Sequence, residues 1–234
     1  MNPRASLTVP FVSKAIGQPL AQLAARVMAG KSLEELGFTS ELEPAHISVK
    51  EAVFPFVKFP GVDTLLGPEM KSTGEVMGID RVFGRAYAKA QRAAGMELPD
   101  AGTLLVSVRD EDKARIVEPI RALADLGFRI LATHGTGTFL RERGIRVEGV
   151  DKVAEGSDNT AERLRRREVD LVIATTRTGD PKAIRDSVAM RRAALEHGVP
   201  YFTTVAGARA VAEAVRAQRA GDIEPIALQD LHPA

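Results

Sequence analysis

The stretch FRILATHGTGTFLRERG, residues 128–144, decides the fold of this chain. It begins with an apolar run that is typical of a buried strand, continues with glycines and threonines, and ends in a helical stretch that closes at Gly144. Strands that pass into helices through such residues often form anion sites, because the backbone N–H groups at the helix start point at the ligand. The segment therefore predicts a phosphate-binding turn between a strand and a helix.

The same alternation of strand and helix extends on both sides of this segment. Apolar, β-branched runs predict strands at 103–108, 128–133, 146–150, 169–176 and 199–205. The helix after the fourth run has Asp180 as N-cap, Pro181 in its first turn and Gly198 just past its end, which is the expected capping pattern. Such strands with interleaved helices predict a parallel sheet covered on both faces, a three-layer α/β/α domain. Because Pro119 lies inside the first of these helices, we expect that helix to kink or to start late.

Residues 1–98 lack this alternation, and helix-breaking residues near 95–102 separate them from the rest. The predicted elements are a helix beginning at Pro19, a short helix with a Ser32/Glu35 capping box, an extended stretch at 46–59, a loop-rich stretch at 60–78 and a helix from Asp80. Elements around such a long irregular loop are characteristic of part of a domain. We therefore expect an incomplete, less stable α+β unit at 1–98 and the α/β domain at 99–234.

Composition excludes several classes of protein. The chain has 234 residues and a formal net charge of +1, so no general attraction to nucleic acid is expected. It has no cysteine, which excludes disulfides, thiol catalysis and cysteine-ligated metals. No apolar run approaches the roughly 20 residues that span a bilayer, and the N-terminus lacks the layout of a signal peptide. We expect a cytoplasmic protein that binds neither nucleic acid nor membrane, and we interpret the basic tract at 163–168 as the solvated face of a helix.

Polar residues follow the predicted strands at the edge of the sheet where open α/β folds bind ligands. They are Lys113, Thr133, Gly135, Thr136, Lys152, Thr175 and Thr176. Lysines, hydroxyl groups and the N–H groups of a helix start suit a phosphate dianion. The residue types leave open the alternative that the threonines only cap helices and the lysines are solvated. His134 is a candidate acid or base, but the sequence fixes no nucleophile beside it, and the histidines show no metal-ligand spacing.

The chain resembles a known family over nearly its whole length. NPRASLTVPFVSKAIGQPLAQLAARVMAGKSL (2–33) and SVKEAVFPFVKFPGVDTLLGPEMKSTGEVMG (48–78) are similar to the end of the second ATP-grasp half of the carbamoyl-phosphate synthase large subunit. SVRDEDK, ATHGT, DKVAEG and AIRDS then follow in the order and at the spacing of its carboxyl-terminal regulatory domain, which has a methylglyoxal-synthase-like fold. The resemblance implies that residues 1–98 are an ATP-grasp remnant and that residues 99–234 are the regulatory domain.

The resemblance implies an enzyme that makes carbamoyl phosphate from bicarbonate, glutamine-derived ammonia and two ATP, with ATP and magnesium held by the ATP-grasp part. Asn2 matches a magnesium ligand and Arg4 a residue on the phosphate side of that active site, while Leu7 replaces an arginine and a metal-binding glutamate before Asn2 is missing. We expect Asn2 and Arg4 to be remnants, and the chain alone to need no cofactor and to turn over no ATP. A split gene, a misread start or a truncation would each produce such a chain.

The resemblance also implies small-molecule effectors. The family's regulatory domain binds nucleotide monophosphates, uridylate or inosinate, and its phosphate-binding positions match Lys113, Thr133, Thr136, Lys152 and Thr176. Ala174 replaces an asparagine of the family, so we expect tolerance between nucleotides. Glu51 and Thr203 match two contacts of ornithine, an activator of bacterial members. The implied partners are the rest of the large subunit and the glutaminase small subunit, and we expect a homo-oligomer.

Two other hypotheses remain. Methylglyoxal synthase has the same fold but needs a catalytic aspartate, whose place is taken here by Ser157, with Asp158 one residue late, and its early histidine corresponds to Arg109. Because proton abstraction needs a positioned base, this activity is not expected. The other hypothesis is a free-standing effector-binding or assembly module without catalysis.

Overall fold

The structure is a computed structural model, and it describes residues 6, 8–55, 71–153, 155–176, 179–221 and 223–232. The elements of its first part are the helices α1 (Thr8–Ile16) and α2 (Leu20–Met28), the strands β1 (Ile47–Val53) and β2 (Gly74–Asp80), and the helix α3 (Phe83–Ala93). The two strands pair antiparallel along their whole length, from Ile47 opposite Asp80 to Val53 opposite Gly74.

A five-stranded parallel sheet forms the second part. Its strands are β3 (Thr103–Ser107), β4 (Arg129–Thr133), β5 (Val147–Val150), β6 (Leu171–Ala174) and β7 (Tyr201–Phe202). The strand order is β5-β4-β3-β6-β7, so the chain starts in the middle of the sheet, builds one edge and then builds the other. Doubly wound folds of this kind bind ligands beyond the carboxyl ends of the strands, where the direction of winding reverses.

Helices cover both faces of this sheet. They are α4 (Asp110–Asp125), α5 (His134–Arg141), α6 (Thr160–Arg165), α7 (Pro181–Glu196) and α8 (Val205–Arg219), followed by the short α9 (Leu228–Leu231). Leu104 and Val106 of β3 pack with residues of α4, α5 and α8, whereas Leu105 packs with residues of α6 and α7. Alternate residues of one strand thus pack into two separate cores, one on each face of the sheet, which confirms the predicted three-layer arrangement.

Helix α3 lies between the antiparallel pair and the α/β domain. A Cβ atom built on Gly78 of β2 would lie 2.0 Å from the carbonyl oxygen of Ala86 in α3. On the other side, a Cβ atom built on Gly84 of α3 would lie 2.4 Å from the carbonyl oxygen of Glu213 in α8. Since such distances are far below van der Waals contact, both glycines allow a backbone approach that no other residue permits.

The structure corrects several sequence-based expectations in the first part. The end of the segment expected to be loop-rich belongs to β2, whose glycines and acidic residues gave a weak strand pattern. Asp80 ends this strand, so the helix expected from Asp80 begins only at Phe83. Helix α1 was not predicted, and Pro10 is compatible with it because a proline in the first turn removes an N–H that has no partner there. The Ser32/Glu35 capping box forms, with hydrogen bonds of 2.8 and 3.1 Å, but residues 33–37 make only a turn.

In the second part, the expectation for Pro119 was wrong in one respect. Helix α4 begins at Asp110 and continues through Pro119 to Asp125, so it does not start late. Pro119 is buried beside Ile116 and Ile120 in the core. The packing of this face compensates for the hydrogen bond that the proline removes.

Candidate anion-binding site

A pocket opens at the carboxyl ends of β3, β4 and β6, where the winding of the sheet reverses. It has about 260 Å³ of open space, and its walls are the starts of α4, α5 and α7. The residues expected from the sequence to bind phosphate all line it: Lys113, Thr133, Gly135, Thr136, Lys152 and Thr176. The structure thus brings the six together, while their role in binding stays a prediction.

The start of α5 differs from the other helix starts at this pocket. Helix α4 carries Asp110, Glu111 and Asp112 in its first turn, and the side chains of Asn159 and Asp180 cap α6 and α7. Helix α5 has no acidic residue in its first turn and no side-chain cap. Its first N–H groups and the positive end of its dipole are therefore the ones that favour an anion.

Lys113 lies directly over this helix start. Its Nζ lies 3.2 Å from the point where a Cβ atom on Gly135 would be. The same ammonium forms an ion pair with Asp110, with 2.7 Å between Nζ and Oδ1. The glycine thus leaves room for the ammonium to approach the backbone of α5.

Two threonines, Thr133 at the end of β4 and Thr136 in the first turn of α5, connect the start of α5 to the end of β3. The Thr136 hydroxyl is buried, donates to the carbonyl of Val108 at 3.3 Å and accepts from its N–H at 3.2 Å. The Thr133 hydroxyl lies 3.3 Å from the hydroxyl oxygen of Ser107. Thr136 therefore holds the β3–α4 connection against α5, and this use of its hydroxyl was not foreseen from the sequence.

A buried carboxylate organises the first turn of α4. Asp112 is 3% exposed and accepts a hydrogen bond from Nε of Arg109 at 2.7 Å. Thr175 accepts from the N–H of Arg109 at 3.1 Å and also bonds to Asp112. Burial by itself raises the pKa of Asp112, but the bonds from Arg109 and Thr175 outweigh it, so the pKa lies below its usual value.

Acidic groups line the side of the pocket near Lys152. The N–H of Lys152 donates to Glu155 at 3.4 Å, and Asp186 of α7 lies in the same wall. Burial raises the pKa of Asp186 and the charge of Glu155 adds to the effect, although Lys182 and Lys152 oppose it. The hydroxyl of Thr176 lies 2.7 Å from that of Ser187, which also accepts from Arg191.

Sequence reasoning missed several residues of this lining, namely Ser107, Arg109, Thr160, Lys182, Asp186 and Ser187. Most of them lie in the first or second turn of a helix that follows a strand end. For two of them, the signal that could have found them was the helical spacing of polar residues from Asp180, which puts Asp186 and Ser187 on the same face of α7.

The remaining candidate residues lie elsewhere. Glu51 of β1 is half-buried and accepts a hydrogen bond from Gln91 of α3 at 2.9 Å, and burial raises its pKa. Thr203 is exposed just beyond β7. Asn2 and Arg4 lie outside the described residues. The roles of Glu51 and Thr203 as ornithine contacts therefore stay predictions. So do the roles of Asn2 and Arg4 as remnants of a metal-binding and phosphate-binding site.

The groups considered as a catalytic base are engaged outside the pocket. Asp158 forms ion pairs with Arg163 at 2.7 Å and with Arg166 at 3.1 Å. His134 is exposed, and its Nε2 lies 3.0 Å from Oδ1 of Asp151. In the described part of the chain, no cluster of His, Asp or Glu is placed to hold a metal ion. The helices of that part also include none with the length and apolar character that crossing a bilayer requires.

Comparison with known proteins shows what this chain is similar to. The MGS-like domain family matches residues 115–203. The carbamoyl phosphate synthase large chain of Mesorhizobium japonicum is 54% identical over 98% of this chain and 20% of its own length. That of Xanthomonas axonopodis pv. citri is 51% identical over 99% of this chain and 21% of its own length. A solved methylglyoxal synthase from Elizabethkingia anophelis NUHP1 is 20% identical with a TM-score of 0.40, and the match covers 49% of this chain and 79% of that one.

The parallel sheet and its helices are thus an MGS-like domain. The chain belongs to the carbamoyl phosphate synthase large-chain family and corresponds to its carboxyl-terminal part, as the sequence resemblance indicated. It spans only 20–21% of the length of these relatives.

Proposed function

We propose that this chain is the regulatory part of a carbamoyl phosphate synthase large chain, and that its pocket binds the phosphate of a nucleotide monophosphate such as uridylate or inosinate. One observation carries the proposal. The residues expected to bind phosphate converge on the helix start at this pocket that has neither an acidic side chain nor a cap. A phosphate monoester there gains backbone N–H donors, the helix dipole and two lysines.

The proposal includes specific phosphate contacts. The free N–H groups at the start of α5, those of Gly135 and Thr136 among them, would face the anion, and Lys113 and Lys152 of the same pocket would contact it. Thr133 and Thr176 supply hydroxyl groups, while Thr136 acts through its backbone N–H because its hydroxyl is bonded to Val108. His134 and Asp158, the two residues considered as bases, are paired with Asp151 and Arg163 and do not line the pocket, so we expect the bound ester to stay intact and the site to sense phosphate.

The larger assembly is part of the same proposal. The whole protein would make carbamoyl phosphate from bicarbonate, ammonia from glutamine and two ATP, with ATP and magnesium held by its ATP-grasp part. Residues 1–98 would belong to that part and residues 99–234 to the regulatory domain, with ornithine between them at Glu51 and Thr203. The rest of the large subunit, the glutaminase subunit and further copies of the chain would be its partners in the cytoplasm.

Calorimetry on the chain tests the phosphate site. Uridylate, inosinate and inorganic phosphate should each bind, and Lys152→Ala should weaken binding about tenfold or more, since a hydrogen bond to a charged group is worth about 1.5–3 kcal/mol. Lys31→Ala is the matched control, because Lys31 pairs with Glu35 in the first part of the chain. The proposal fails if none of the three ligands binds at millimolar concentration, or if Lys152→Ala binds like the parent chain.

A further inference from the structure

We infer that Asp110 is an internal competitor of the effector phosphate: its carboxylate holds Lys113 and so lowers the affinity of the pocket. The inference rests on the proposed function, since it concerns the same phosphate site. It adds a residue that changes the affinity of the site for phosphate although it donates no hydrogen bond to the phosphate.

The first observation is where the ion pair lies. The ammonium of Lys113 is 2.7 Å from Oδ1 of Asp110 and reaches the backbone of α5 at Gly135. That position is beside the N–H groups that would receive the phosphate. A phosphate bound there must therefore share the Lys113 ammonium with the Asp110 carboxylate or displace it, and the two anions repel each other at such short separation.

The second observation is the unequal exposure of the two partners. The side chain of Lys113 is 16% exposed, whereas that of Asp110 is 75% exposed. The ammonium is thus held inside the pocket, while the carboxylate lies largely in water. An exposed carboxylate is released from such a pair at small cost, because exposed ion pairs contribute little to stability. Asp110 can therefore tune the affinity of the pocket without closing it.

A different role for Asp110 must be separated from this one. Asp110 is the first residue of α4, where any acidic side chain interacts favourably with the helix dipole. Glu111 is the next residue, so it also lies in the first turn of α4, and it carries the same charge. Its carboxylate lies 3.9 Å from Arg109 and does not line the pocket. Glu111→Gln is therefore a matched control that removes the same charge one residue away.

The test is calorimetric titration of the full chain with inorganic phosphate and with uridylate. Asp110→Asn should bind both about three- to fivefold more tightly than the parent chain, the gain expected when an exposed ion pair no longer competes. Glu111→Gln should bind within about twofold of the parent chain. Thermal unfolding of both variants should show losses of similar size, since both remove an acidic residue from the start of α4.

A second pair of variants shows whether Asp110 acts through Lys113. In a Lys113→Ala background, Asp110→Asn should raise the affinity for phosphate no more than Glu111→Gln does. The inference is overturned if Asp110→Asn binds no more tightly than Glu111→Gln, or if its full gain persists without Lys113. If the parent chain binds phosphate and Lys152→Ala weakens it while Asp110→Asn changes nothing, this inference alone falls. If neither the parent chain nor Asp110→Asn binds at millimolar concentration, the proposed function falls with it.

Discussion

At the scale of single residues, the buried carboxylate of Asp112 stabilises the first turn of α4. Asp112→Asn should lower the free energy of unfolding by about 1.5–3 kcal/mol near pH 7, because Arg109 and Thr175 lose a charged acceptor. The native pKa of Asp112 is lowered from 3.8, so its stabilisation is present above that pH and is lost as the pH falls through the native pKa. Denaturant unfolding at several pH values should therefore show the two proteins converging below about pH 4.

The control for this prediction lies in the same helix. Glu118 is exposed, and Glu118→Gln should change the free energy of unfolding by less than about 0.5 kcal/mol at any of these pH values. A constant difference between Asp112→Asn and the parent chain from pH 7 to pH 3 would show that the charge of Asp112 does not stabilise the fold.

Single residues also show what the sequence can and cannot predict. Lys113, Thr133 and Lys152 were found because parallel strands end at one edge of a sheet, so residues after different strands converge. The hydrogen bonds of the Thr136 hydroxyl with the Val108 backbone could not be predicted in this way. Val108 and Thr136 are separated in the sequence by α4 and β4, so their contact depends on the tertiary fold. Asp186 was missed because a carboxylate on a helix resembles a solvated residue until burial is known.

At the scale of elements, β2 and α3 pack at the distance that Gly78 allows. Gly78→Ala should lower the free energy of unfolding by about 1–3 kcal/mol, because the added methyl group would lie 2.0 Å from the Ala86 carbonyl and must push α3 away. Gly74→Ala in the same strand is the control, since a Cβ atom there has no neighbour within 4 Å among the described residues. Equal unfolding midpoints for the two variants in denaturant would contradict this close packing.

Elements differed in how well the sequence predicted them. Strands of the parallel sheet were found because both their faces are buried, which gives continuous apolar runs such as Leu171–Ala174. Strand β2 was missed because its stability comes from pairing with β1 and packing against α3, and its glycines leave only a weak local strand signal. Helix α4 continues past Pro119 for the same kind of reason, since tertiary packing outweighs a local preference.

At the scale of the whole molecule, the structure divides the first part of the chain into two groups of elements. Helix α2 has no buried residue, and its Met28 is 90% exposed. Helix α3, by contrast, has buried alanines and packs against both β2 and α8. Sequence reasoning assigned α3 to the less stable unit at 1–98, but its packing predicts that it unfolds together with the α/β domain.

Hydrogen exchange measured by mass spectrometry on Gly84→Ala and the parent chain tests this connection. In the parent chain, amides of α1 and α2 should exchange fast, while those of α3, β3, β4 and β6 should be strongly protected. In Gly84→Ala, the new Cβ atom would lie 2.4 Å from the Glu213 carbonyl oxygen and would push α3 away from α8. Exchange should therefore become faster in α3 and β2, while β4 keeps its protection. Helix propensity alone would make this substitution stabilising by about 1 kcal/mol, so a loss of protection reports the contact itself. Unchanged exchange in α3, or equal loss across α3 and β4, would show that the α3–α8 contact does not join the two parts in this way.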